Sequence, residues 1–465
     1  MNSQPGFALA KARRAVVAIL ALAASTSHAA SSSAEEYWPQ WRGPLANGVA
    51  PRAHPPVEWS ETKNVKWKIK IPGSGSATPV VWDNRVFLQT AVPTGKKIEP
   101  SPEKSGAAPV ADDAARGPSG RPRGGMRSEK PNEVYQFVLL CLDRETGKTL
   151  WQKIAREEVP HEGVRQGDGS FAAASPMTDG KLVFAYFGSR GLHCYDLDGH
   201  LKWEKDFGRM RIKMSFGEGS SCTLSGDKII VNWDHEGDDF IAALDKETGK
   251  ELWRQPREED TSWATPLVVQ SAGQAQIVTA ATRRVRSYDL ASGKLLWECA
   301  GLGPNAIPSP VASDGIAYVM SGFQKNALLA IHLGRSGDLT GTDAIAWTRN
   351  KSTPYVPSPL LYGDRLYFFA GNNGILSCLD AKSGNPLIDA ERLEALQGVY
   401  ASPVGASGRV YLTGRNGTTI VIKQSDKLEV LATNKLDEKF DASPALSGNE
   451  LFLRGHEYLY CIAEK

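Results

Sequence analysis

The chain has 465 residues, of which 41% are hydrophobic and 23% charged, enough apolar sequence for a large core and too much for a disordered protein. Its 54 Lys and Arg stand against 52 Asp and Glu, and the formal net charge of +2 excludes a nucleic-acid binder that works through a basic stripe. No stretch beyond the N-terminus approaches the ~20 apolar residues that a membrane-spanning helix needs.

The first segment carries Lys11, Arg13 and Arg14, an apolar run from Ala15 to Ala24, and then Ser27-His28-Ala29. Basic start, short apolar run and small-x-small end together predict a secretory signal peptide over residues 1–30, cleaved near Ala29 or Ala30. Arg13-Arg14 does not complete a twin-arginine signal, and no cysteine follows the apolar run to take a lipid anchor. The expected location is therefore periplasmic or secreted. An N-terminal extension over 31–63 follows, and repeats occupy 64–465.

The repeats announce themselves by a small residue, a serine or threonine, and usually a proline. The marks are Ala77-Thr78-Pro79, Ala174-Ser175-Pro176, Ser220-Ser221-Cys222, Ala264-Thr265-Pro266, Pro308-Ser309-Pro310, Pro357-Ser358-Pro359, Ala401-Ser402-Pro403 and Ala442-Ser443-Pro444. From Ser175 onward they recur every 41 to 49 residues, the period of a four-stranded propeller blade. Within the sixth repeat, Ser358 to Leu361 reads as an inner strand, Arg365 to Ala370 as the second and Ile375 to Leu379 as the third. Tyr362-Gly363-Asp364 and Gly371 to Gly374 are the turns between them. Turns such as Asp143 to Lys148, Asp245 to Lys250 and Ala291 to Lys294 lead into Trp151, Trp253 and Trp297, which with Trp203 and Trp347 are expected to pack at the seams between blades. Residues 92–133, rich in Pro, Gly, Ser, Lys and Arg, read as a disordered insertion in the first blade. The eighth repeat stops after its third strand, so Asn64 to Ile69, with Trp67, is predicted to complete it and close the ring. The fold class is all-β: an eight-bladed propeller of four-stranded antiparallel blades.

Cys141, Cys194, Cys378 and Cys461 occupy one slot in the third strand where other repeats carry Ala243 or Ser287, so the cysteines read as small buried apolar groups. None forms a C-x-x-C or vicinal pair, which removes the sequence signals for zinc, thioredoxin chemistry and c-type haem.

In a four-stranded meander the fourth-to-first connections and second-to-third turns leave on one face. That face collects the ligand-binding candidates His161, Arg165, Glu218, Trp263, Asn305, Tyr355, Tyr400 and Asp441 at the mouth of the channel. Asp234, His235, Glu236 and Asp238 offer oxygen and imidazole groups to a cation such as calcium, in a spacing that matches no established ion-binding loop. Trp263, Tyr355 and Tyr400 make either a stacking platform or a plug. No zincin, nucleophile-elbow, Walker or dinucleotide motif is present.

The marks, the L-x-C-L-D pattern of the third strand and the T-G-K-x-x-W close resemble the pyrroloquinoline-quinone (PQQ) repeat of quinoprotein-like eight-bladed propellers, over Trp67 to Cys461. With Trp38-Pro39-Gln40-Trp41-Arg42-Gly43-Pro44 near its start, the chain is similar to exported bacterial PQQ-like repeat proteins of the BamB type. That resemblance implies a non-catalytic binding or protein-interaction scaffold of the envelope, with no cofactor, whose partner is an envelope protein or small ligand on the loop-rich face. The alternative it implies is a quinoprotein alcohol dehydrogenase holding PQQ and Ca2+, with Trp263 under the quinone and Glu236, Asn305 and Asp441 as ligands or base. The vicinal cysteine pair of such enzymes is absent.

Overall fold

A computed structural model describes Met1 and residues 34–98, 128 and 130–464; the expected signal peptide and most of the expected insertion lie outside the described residues. Eight sheets, each with four antiparallel strands, follow one another along the chain. Blade one comprises Val80–Trp82, Arg85–Lys97, Glu133–Asp143 and Thr149–Glu158. The inner strands of blades two to seven begin at Met177, Thr223, Leu267, Val311, Leu360 and Val404. Blade eight has Ala445–Ser447, Glu450–Arg454 and Tyr458–Ala463, completed by Val65–Lys70 from the other end of the repeat region, with Trp67 opposite Cys461. The predicted closure is thus the observed one. The second strand of blade one runs to Lys97, so 92–97 are ladder rather than the start of an insertion: Ala91, Val92 and Pro93 pair with Phe137, Gln136 and Tyr135.

The serine or threonine of each mark has a physical reason. Its hydroxyl accepts the backbone N–H of the mark one blade earlier: Thr78 to Ser175 at 3.0 Å, Ser175 to Ser221 at 2.9 Å, Ser221 to Thr265 at 3.0 Å, and Thr265 to Ser309 at 3.1 Å. Ser309 to Ser358, Ser358 to Ser402 and Ser402 to Ser443 follow at 2.9 Å each, and the Thr78 hydroxyl closes the circle by donating to the Ser443 carbonyl at 3.1 Å. The proline after the mark brings no N–H that would need a partner on this crowded inner wall, and it holds the marked residue extended. Each link left unmade would strand a buried N–H at a cost of about 1–3 kcal/mol.

The outer seams are built from tryptophan and glycine. The indoles of Trp67, Trp151, Trp203, Trp253 and Trp347 each donate to a carbonyl of the next blade, at Arg144, Leu197, Lys246, Leu290 and Ala381. The rings lie on Gly147, Gly199, Gly249, Gly293 and Gly384, where a Cβ would stand 2.5–2.8 Å from the nearest atom of the neighbouring blade. Trp297 departs from this pattern: Gly337–Asp338 pairs in parallel with its strand as a fifth member of blade four, and the buried indole turns to Gln276 of its own blade at 3.0 Å. The small slot on the third strand also gains its reason. Cys141, Cys194, Ala243, Ser287 and Cys461 stand directly opposite Trp151, Trp203, Trp253, Trp297 and Trp67. All six cysteines are buried and unpaired, and burial pushes the Cys141, Cys194 and Cys378 thiols up to about 12.

The N-terminal extension is part of the propeller. Trp38 bridges Val81 inside blade one, Pro39 accepts from Thr178 of blade two, and Gln40 accepts from Leu224 of blade three. Trp41 donates to Ser309 of blade five, and Arg42 donates to Pro359 and Pro403 of blades six and seven at 2.7 and 2.8 Å. The segment therefore closes the channel from the side of the short turns, where His54 also takes the Gly448 carbonyl. Among the described residues no helix is long and apolar enough to cross a membrane.

Candidate functional site

Above that plug the channel opens into a cavity with about 210 Å3 of water-accessible volume. Trp41 and the ring residues Ser221, Thr265, Ser309, Ser358, Ser402 and Ser443 form its lower wall, and the fourth-to-first connections form its mouth. Arg165, Glu218, Trp263, Tyr355, Tyr400 and Asp441, six of the eight sequence candidates, line this one space. Topology brought them together: five sit one or two residues before a mark, and Arg165 lies on the longer connection that leads to Ala174.

A chain of charges girdles the mouth. Asp168 accepts from Arg415 Nη1 at 2.9 Å and from the Tyr400 hydroxyl at 3.2 Å, and pairs with Arg165 Nε at 2.9 Å. Arg415 also pairs with Asp441, Nε to Oδ1 at 2.5 Å, and Asp441 holds His456 at 2.8 Å. The Arg415 guanidinium lies 4.2 Å from the centre of the Tyr400 ring. Burial, and then the charge of Asp168, raise the Tyr400 pKa and keep its phenol a donor near neutrality. Arg165 stands 5.4 Å from the Phe216 ring. Tyr355 stacks on Phe323 with centroids 5.0 Å apart, and the Trp263 indole donates to the Gly217 carbonyl at 2.7 Å. The mouth thus interleaves aromatic rings with paired charges.

Glu218 belongs to the wall between blades two and three. Its carboxylate accepts the Ser189 N–H at 2.7 Å, the Ser189 hydroxyl at 2.6 Å and Arg190 Nη1 at 3.0 Å. His161 and Asn305 fall outside the cavity. His161 Nε2 contacts the Met210 carbonyl at 2.7 Å, and Asn305 is buried in a left-handed conformation at φ 56°, next to Ala306, whose carbonyl accepts the Trp263 N–H at 2.9 Å.

The cation expectation at 234–238 meets a different arrangement. Asp234 is fully buried and takes Arg257 at 2.7 and 3.0 Å, Asn232 at 3.0 Å and the Ser262 hydroxyl at 2.5 Å. His235 Nδ1 accepts the Arg211 N–H, Glu236 accepts the N–H and hydroxyl of Thr261, and Asp238 is exposed. Asp234, His235 and Glu236 each point to their own protein partners, and among the described residues no set of three or more such side chains converges on a common point. Arg257, which lies 23 residues away in sequence, is what a local reading of the acidic run could not see.

Sequence reasoning missed Trp41, although the segment that contains it stood out. Its signal was an aromatic, proline-containing run outside any repeat, which has no reason to be apolar unless something buries it.

Residues 136–387 match the family described as outer membrane protein assembly factor BamB. Over 167 residues the chain is 29% identical to ER membrane protein complex subunit 1 of Xenopus laevis, covering 35% of this chain and only 16% of that protein. The quinohemoprotein alcohol dehydrogenase of Comamonas testosteroni is similar in structure, with a TM-score of 0.58 at 10% identity over 92% of this chain and 81% of that one. BamB of Moraxella catarrhalis gives a TM-score of 0.49 at 14% identity over 70% of this chain and 91% of that one. The likeness to the dehydrogenase concerns the fold alone, and the family match, which spans more than half of the sequence, places this chain in the BamB family of PQQ-like repeat propellers.

Proposed function

We propose that the protein is a non-catalytic binding or protein-interaction scaffold of the cell envelope that receives an envelope protein or a small ligand at the loop-rich mouth. The observation that carries this reading is the state of the carboxylates there. Asp168, Asp441 and Glu218 are each held by arginine together with tyrosine, histidine or serine donors, so each is committed to the wall. Such a rim is rigid and charge-balanced, the qualities of a surface that recognises by shape and stacking. A general base needs a lone pair within reach of its proton; Asp168 and Glu218 spend theirs on hydrogen bonds to neighbours, and Asp441 Oδ1, which makes no hydrogen bond, is ion-paired with Arg415. Family membership supports the same reading, because the family description names an assembly factor.

The residues present do not suit PQQ and Ca2+. Of the ligand set Glu236, Asn305 and Asp441, only Asp441 lines the cavity, Glu236 is turned onto Thr261, and Trp41 fills the channel floor. The test is direct: the full exported protein is mixed with PQQ and Ca2+, and its melting temperature and dye-linked alcohol oxidation are followed. A cofactor that binds only the native state at a hundred times its dissociation constant adds about 2.7 kcal/mol and must raise the melting point. The scaffold reading predicts neither a shift nor oxidation; either one would defeat it.

A further inference from the structure

Adjoining the mouth lies a second, smaller chamber between blades two and three. It shares Trp263, Glu218 and the backbone of 217–219 with the mouth. Three polar atoms on its lining residues make no hydrogen bond among the described residues: Arg190 Nε, which is ion-paired with Glu158 at 3.4 Å, and two uncharged groups with no partner at all, the hydroxyl of Tyr186 and Oδ1 of Asn232, on residues only 2% exposed. Their orientation is fixed from elsewhere. The Tyr186 backbone is clamped by Gln89 at 2.7 and 3.1 Å, and Asn232 Nδ2 donates to Asp234 at 3.0 Å, which leaves Oδ1 as an acceptor. Burial raises the Tyr186 pKa well above its usual value, so the phenol stays a donor. Met210, Ile212 and Phe187 supply part of the apolar lining, and the charged groups beside them, Glu218 with Arg190 and Asp234 with Arg257, are paired with one another.

A buried donor and a buried acceptor left without partners are costly, and native proteins rarely keep both in one cavity without something that answers them. The water-accessible volume is about 30 Å3, two to three times the roughly 10–15 Å3 that a single water needs. The complementary group is therefore a few heavy atoms in size, with one acceptor, one donor and an apolar end. A secondary amide with a methyl group has that composition.

We infer that this chamber receives the acetamido group of an N-acetylated sugar, with its carbonyl accepting from Tyr186, its N–H donating to Asn232 Oδ1 and its methyl against Met210 and Ile212. The sugar ring then lies in the mouth, where Trp263, shared by both spaces, and Tyr355 offer flat faces for the apolar side of a pyranose. The inference rests on the mouth being a binding site, and names what it binds.

N-acetylglucosamine, glucosamine, glucose and glutamine are titrated into the full exported protein by calorimetry. N-acetylglucosamine is expected to bind at least tenfold more tightly than glucose or glucosamine. Tyr186→Phe, which removes a hydroxyl that bonds to no other described residue, is expected to keep the melting temperature and weaken N-acetylglucosamine binding about tenfold, the equivalent of one hydrogen bond. Equal binding of glucose, no binding at millimolar sugar, or unchanged affinity in Tyr186→Phe overturns the assignment. Tighter binding of glutamine, whose side chain carries the same donor and acceptor, overturns it as well. The sugar comparison needs no variant and stands even if the variant fails to fold. A failure here leaves protein docking at the rim intact, whereas quinone-dependent oxidation would defeat the scaffold reading and leave sugar recognition to be judged by these titrations.

Discussion

Replacing Gly249 by alanine probes how the blades are joined. Gly249 lies in the turn between the third and fourth strands of blade three, at φ 68°, with the Trp203 ring of blade two laid across it. A Cβ there would stand 2.6 Å from Trp203 Cε3 and 2.7 Å from Cδ2, closer than carbon atoms approach. Two costs follow. The left-handed conformation costs an alanine about 1–2 kcal/mol. Displacing a packed ring costs about 1–3 kcal/mol more, and the 3.0 Å bond from the indole to the Lys246 carbonyl is stretched with it. Alanine returns about 0.4–1 kcal/mol by restricting the unfolded chain, so the net loss is about 2–4 kcal/mol. Gly273→Ala is the internal control: its φ is 78° and its Cβ meets nothing within 4 Å, so it bears the backbone cost alone, about 1 kcal/mol. Urea unfolding followed by tryptophan fluorescence reads both. Equal losses in the two variants would show that the tryptophan–glycine contact adds nothing to the seam.

Asp234→Ala strands the fully buried Arg257 guanidinium and should cost about 3–5 kcal/mol, while the double replacement Asp234→Leu with Arg257→Met should recover most of it; calorimetry of both proteins checks this. Trp38→Ala removes a fully buried indole from the plug and should cost about 3–5 kcal/mol by urea unfolding. Acid should destabilise the protein in a definite window. Hydrogen bonds from Thr146, Ser292 and Ser383 depress Asp143, Asp289 and Asp380, and Asp196, which burial alone would raise, is brought to about 2 by bonds from His200 and Lys202. A carboxylate depressed by folding adds its full stability above the unfolded value of about 4 and loses it as pH falls through the folded one, so the urea midpoint should drop steadily from pH 4 to pH 2.

Architecture was legible because it is written locally and repeated. Each serine or threonine mark serves the same inner ring, and the small third-strand residues face a tryptophan in most blades, with Cys378 opposite Ile388 the exception, so a short window already carries the pattern. The site candidates Trp263, Tyr355, Tyr400 and Asp441 followed from counting along the same repeats. What escaped were contacts made once and over long separations. Trp41 meets Ser309 across 268 residues and Arg42 meets Pro403 across 361, so no periodicity points to either. Trp297 shares the spacing of its counterparts, but the strand Gly337–Asp338 that covers it arrives from the next repeat. The acidic run at 234–238 looks like a cation site until Arg257 is seen to occupy its strongest carboxylate.

The central claim, that activity resides at the loop-rich mouth, is tested most directly by photocrosslinking in living cells. A photoreactive side chain is placed at Tyr355 on the mouth or at Asn449 on the opposite, plugged face. The account predicts discrete crosslinked species from position 355, lost when Arg415 and Trp263 are both replaced by alanine, and none from position 449. Crosslinking from 449 with a silent mouth would contradict it.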